Sequence, residues 1–115
     1  MKTISRVAGF LLCAALTVCL GDALAADVTR GPYLQLETPG SIVVRWRTDL
    51  PTGSVVRYGS VQGSLNDTVT ASGNTTEHIV ELSGLLPDTL YYYSVGDSSG
   101  PLAGGDSSHF FRTAP

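Results

Sequence analysis

Past residue 26 the apolar positions alternate instead of recurring every three or four residues, and short runs of them are divided by clusters of Gly, Pro, Ser, Asn and Asp. A period of two with such punctuation marks half-buried strands. Seven runs stand out, near 28–37, 41–48, 54–59, 65–71, 76–82, 89–96 and 108–113. No segment holds a helical period for three turns. The pattern predicts an all-β antiparallel sandwich of seven strands in two sheets, four on three.

Alternation also assigns faces, because successive side chains in a strand point to opposite sides. In the second run Ile42, Val44 and Trp46 share the inward face, with Val43, Arg45 and Arg47 outward. In the fifth, His78, Val80 and Leu82 read inward, and Glu77, Ile79 and Glu81 outward. Val56, Tyr58, Tyr91, Tyr93, Val95, Phe111 and Thr113 complete the expected core, with Trp46, Tyr58, Tyr91 and Tyr93 as its aromatic members. Val55, Arg57, Leu90, Tyr92, Ser94, Phe110 and Arg112 are expected to face out. Four of these, Val55, Leu90, Tyr92 and Phe110, form a candidate apolar interface on one outer face. Pro32 marks an edge strand, since it cannot donate to a ladder. Residues 96–105, rich in Gly, Ser and Asp, read as the irregular loop of a hairpin between the last two runs.

The fullest signal is the stretch 82–95, whose skeleton is Leu82, Gly84, Leu85, Pro87, Thr89, Tyr91, Tyr93 and Val95. One strand ends, Gly and Pro turn the chain, and a second strand begins with a Tyr placed to return its hydroxyl to upstream backbone. That is a tyrosine corner, and the pattern resembles the crossover of the fibronectin type III superfamily, a branch of the immunoglobulin-like sandwiches. In that topology the second and fifth runs are neighbours. Their outer faces then set Arg45 and Arg47 against Glu77 and Glu81, cross-strand pairs worth about 0.2–1 kcal/mol each.

The first 25 residues carry a different pattern. Lys2 and Arg6 precede an apolar run over 7–20, and Ala23-Leu24-Ala25 follows as a small-x-small cleavage site. This is a secretory signal, shorter in its apolar run than the roughly 20 residues a spanning helix needs. The expected domains are thus 1–25, signal peptide, and 26–115, sandwich, in a secreted or periplasmic product. Cys13 and Cys19 are the only cysteines. Both leave with the signal, so no disulfide or thiolate chemistry is expected in the mature chain. The whole chain carries a formal net charge of −3, and residues 26–115 hold five arginines, no lysine and nine carboxylates. That acidic balance excludes nucleic acid and anionic membrane as partners.

Candidate chemistry is sparse. His78 and His109 are the only histidines and belong to no zinc-ligand spacing. Gly96-Asp97-Ser98 and Gly105-Asp106-Ser107 fit turn chemistry. The Gly-x-Ser-x-Gly spacing of residues 96–100 falls in a predicted loop with no helix after it, so no nucleophile elbow is expected, and no phosphate loop opens a helix. No catalytic, cofactor-binding or metal-binding residue is expected in this chain. Asn66-Asp67-Thr68 and Asn74-Thr75-Thr76 match glycosylation sequons.

A narrower resemblance rests on Arg30-Gly31-Pro32-Tyr33-Leu34-Gln35, Ser41-Ile42-Val43-Val44-Arg45-Trp46, Val56-Arg57-Tyr58-Gly59, the tyrosine crossover and Phe110-Phe111-Arg112-Thr113-Ala114-Pro115. Together these resemble the N-terminal fibronectin-type-III-like domain of purple acid phosphatases and related secreted metallophosphoesterases. The resemblance implies a non-catalytic module beside a catalytic domain in cis, expected beyond Pro115. That domain would hydrolyse phosphate monoesters at a dinuclear centre of iron with iron, zinc or manganese. Its motifs, Gly-Asp-x-x-Tyr, Gly-Asn-His-Glu or Gly-Asn-His-Asp, and Gly-His-x-His, have no counterpart here, so no catalytic residue carries over. The other reading is a stand-alone secreted module that binds a glycan or a protein through exposed aromatics.

Overall fold

The computed structural model describes residues 25–115. The expected signal segment therefore lies outside the described residues, apart from its last position. The described chain forms six antiparallel strands and no helix: β1 (Val28–Gln35), β2 (Ile42–Gly59), β3 (Asp67–Leu82), β4 (Leu90–Asp97), β5 (Gly100–Gly104) and β6 (Phe110–Arg112).

Strands β2 and β3 are long enough to serve both layers. The first part of β2 pairs with β1 and with the end of β3; its second part pairs with the start of β3 and with β4. β4 then carries both β5 and β6 on its far edge. The result is two facing layers built from six continuous strands, where the alternation predicts seven. The second and third runs join into β2, and the fourth and fifth into β3. Leu50-Pro51-Thr52-Gly53, which falls between the second and third runs, is here part of one continuous strand that bends. Register shifts between Arg47, Thr52 and Ser54 absorb the extra residues as the pair passes from one layer to the other.

Residues 96–105 need a larger correction. They are not one irregular hairpin loop: Gly100–Gly104 is a strand of its own, β5, in which Gly100 pairs with Asp97 and Gly104 with Ser94. The glycines are there for close approach. A Cβ on Gly96 would press on the Gly100 carbonyl and the Pro101 Cα, and one on Gly104 would lie 2.6 Å from the Tyr93 carbonyl. Only a residue without a side chain lets β5 lie this close to β4.

The core fills from both layers. Ile42, Val44, Trp46, Val80 and Leu82 from one meet Val56, Tyr91, Tyr93, Val95 and Phe111 from the other, and Leu85 of the crossover closes the cluster. Each residue of that set on a predicted run faces the side its alternation assigns. Tyr58 is the exception among the expected core aromatics, being only partly buried at the core margin and edge-on to Tyr91 at 6.1 Å. β1 pairs only with β2, so Pro32 does lie on an edge strand, where the register slips between Arg30 and Tyr33.

Candidate functional site

Three groupings of polar side chains rise above ordinary surface chemistry. The first is buried. His78 of β3 lies opposite Trp46 of β2, and their rings stack at 4.7 Å with planes 4° apart. His78 is 1% exposed. Its Nε2 is 2.9 Å from Thr48 Oγ1 and its Nδ1 is 2.7 Å from Ser54 Oγ. Thr48 donates its one hydroxyl proton to the Leu50 carbonyl at 2.8 Å. It therefore accepts from Nε2–H, which makes Nδ1 the acceptor for the Ser54 hydroxyl. The imidazole is neutral, and burial pushes its pKa down against the weaker opposing pull of Glu77 and Asp97. Thr48 and Ser54 flank the bend in β2, so His78 ties together the two parts of one strand. Thr48 continues the inward series of Ile42, Val44 and Trp46, and that period was the available signal for it.

The second grouping is the tyrosine corner. Tyr91 Oη accepts from the Leu86 backbone N–H at 2.9 Å, five residues upstream. Thr113 completes the knot. Its hydroxyl donates to the Leu86 carbonyl at 2.5 Å and accepts from the Thr89 N–H at 2.9 Å. Both are structural.

The third, Asp106, Ser108 and His109, is exposed. Asp106 accepts from the Ser108 N–H at 3.0 Å and from its hydroxyl at 2.9 Å, and lies 2.8 Å from His109 Nδ1. These bonds pull the Asp106 carboxyl down to about 2. All three partners converge on one carboxylate oxygen, so no nucleophile–base–orienter chain forms. Asp97 plays the same capping part for the Ser99 N–H at 2.9 Å.

The expected outer interface is brought together only in part. Tyr92 and Phe110 are register partners whose rings meet edge to face at 6.3 Å, and Leu90 lies on the same face. Val55 shares that face by register but is 4% exposed. Arg57, two residues along the same face, donates from its guanidinium to the Asp97 carbonyl at 3.1 Å. Ser94, also expected outward, is buried because the backbone of Gly104 and Gly105 lies against it. Of the two expected charge pairs, Arg47–Glu77 forms at 2.6 Å. Arg45 instead faces Ile79 and donates to Gln35 Oε1 at 3.3 Å.

The family model "Purple acid Phosphatase, N-terminal domain" matches residues 30–113. The chain belongs to that family. Among curated proteins, purple acid phosphatase 13 of Arabidopsis thaliana is 36% identical over 73 residues, which is 64% of this chain and 13% of that protein. The chain thus spans a small part of that relative's length. Among solved structures, a computationally redesigned β-sandwich protein covers 76% of this chain and 90% of its own, with a TM-score of 0.50 at 20% identity. That likeness supports the sandwich fold alone.

Residues of this domain do not fit the dinuclear metal centre the family name implies. Among the described residues no group of three or more His, Cys, Asp or Glu could hold a metal ion. Both histidines are committed elsewhere, His78 between two hydroxyls and His109 to Asp106.

Proposed function

We propose that this chain is the non-catalytic N-terminal module of a secreted purple-acid-phosphatase-like metallophosphoesterase. The observation that carries this reading is the family match across nearly the whole sandwich, together with the small fraction of the curated relative that the chain spans. A catalytic domain in cis would hydrolyse phosphate monoesters with a dinuclear metal centre, in which metal ions activate water and polarise phosphoryl oxygens. None of that chemistry falls to the residues described here. Their part is to present a rigid, disulfide-free sandwich, tied by the tyrosine corner and the His78 staple, against which the catalytic domain packs. The basic, apolar and small-residue series of residues 1–25 supports secretion to the outside or the periplasm.

The intact mass and N-terminal sequence of the secreted gene product test this reading. The expected product begins near Ala26, is several-fold heavier than 12.1 kDa, and loses phosphatase activity to a chelator. A product lighter than that mass and ending at Pro115 points to a stand-alone binding module. In that case a screen against glycans and surface proteins replaces the activity assay.

A further inference from the structure

The end of the sandwich near the close of β6 combines features that the domain's own packing does not use. Among the described residues Leu36 and Leu86 are the two most exposed large apolar side chains, at 76% and 64%. Leu36 has a φ of 55°, in the left-handed region that leucine rarely adopts. It therefore bears an unfavourable backbone conformation while burying little of its side chain, and gains nothing from its own domain in return. Beside it, between the end of β1 and β6, lies an open groove of about 440 Å³ with Leu34, Ile42 and Phe111 in its lining and Glu37 and Arg112 also bordering it.

Both leucines adjoin the strand end. The Ala114 N–H donates to the Thr38 carbonyl at 3.4 Å, and the Ala114 carbonyl accepts from the Asp88 N–H at 3.0 Å. Thr113 is bonded to the Leu86 carbonyl. A domain joined after Pro115 thus starts between Leu36 and Leu86, and a short tether presents it to this surface at millimolar effective concentration or above.

We infer that this end of the sandwich, Leu36, Leu86 and the groove beside them, is the seat of the catalytic domain in cis. The inference rests on the reading above that such a domain follows. The partner surface would carry an apolar contact for Leu36 and Leu86, with polar groups complementary to the Glu37 carboxylate and the Arg112 guanidinium at the groove. The face carrying Leu90, Tyr92 and Phe110 is the rival seat, and its two aromatic rings already satisfy one another edge to face.

The test uses the full-length secreted enzyme and two double variants, L36D/L86D and Y92D/F110D. Thermal unfolding and limited proteolysis of the segment after Pro115 are the readouts. The expected result is one joint transition in the wild type and in Y92D/F110D. L36D/L86D should split it into two and be cut at least tenfold faster after Pro115. Near-ultraviolet circular dichroism checks that the exposed substitutions leave the sandwich folded. An L36D/L86D enzyme that melts and digests like the wild type overturns the inference, as does separation caused by Y92D/F110D instead. A secreted product with no domain beyond Pro115 is a different failure, seen in the mass alone, and removes the functional reading on which the seat depends.

Discussion

His78 shows how one side chain couples packing to pH. Its neutral form is held by one accepted and one donated hydrogen bond, and protonation would force the Ser54 hydroxyl to give up its present acceptor. Because burial lowers its pKa in the folded state, the unfolded chain binds that proton more readily. The stability it contributes is present above the unfolded value of about 6.5 and is lost as pH falls through the folded value. Melting temperature should therefore drop between pH 7 and 5, and His78→Gln, though less stable at neutral pH, should show a flatter profile. Parallel profiles would refute the assignment. Asp106 acts in a separate window: its lowered pKa contributes above about 3.9 and is lost toward about 2. The crossover offers a second comparison at this scale. Thr113→Val strands the Leu86 carbonyl and the Thr89 N–H and should cost about 1–3 kcal/mol by urea unfolding. Tyr91→Phe frees a single N–H beside solvent and should cost about 1 kcal/mol. Equal losses would mean that Thr113 is not the centre of the knot.

At the scale of elements, the glycines separate two roles that look alike in the sequence. Gly96 lets β5 lie against β4, so Gly96→Ala should displace the hairpin and cost more than about 2 kcal/mol. Gly53, with nothing within 4 Å of its would-be Cβ and no positive φ, needs no such freedom. Gly53→Ala should be neutral or stabilise by about 0.4–1 kcal/mol, through the unfolded chain. Chemical denaturation of both variants checks the contrast, and comparable destabilisation would show that the bend needs Gly53. The same ambiguity explains the misread hairpin. Gly, Ser, Pro and Asp signal loops when taken locally, whereas backbone contact across β4 and β5 depends on what lies opposite. Strand alternation, being local, placed Trp46, His78, Tyr91 and Phe111 correctly. It failed at Val55 and Ser94, both buried, Ser94 beneath the backbone around Gly104.

For the whole molecule, the expectation is a stable scaffold without chemistry of its own. Purified residues 26–115 should fold as a monomer and hydrolyse no phosphate monoester, with or without added iron, zinc or manganese. Metal-dependent turnover by that fragment would defeat the non-catalytic reading. Much of the molecule follows from the local sequence pattern: strands rather than helices, which residues fill the core, and the tyrosine corner. The strands, core faces and corner are decided within a few residues, by alternation and turn chemistry. Only the folded chain decided that β2 and β3 pass through both layers, that β5 is a strand, that His78 joins Thr48 to Ser54, and that Val55 is covered while Leu36 and Leu86 are not. Each of those depends on which distant segments come together, and contacts between distant segments leave no periodic trace in the sequence.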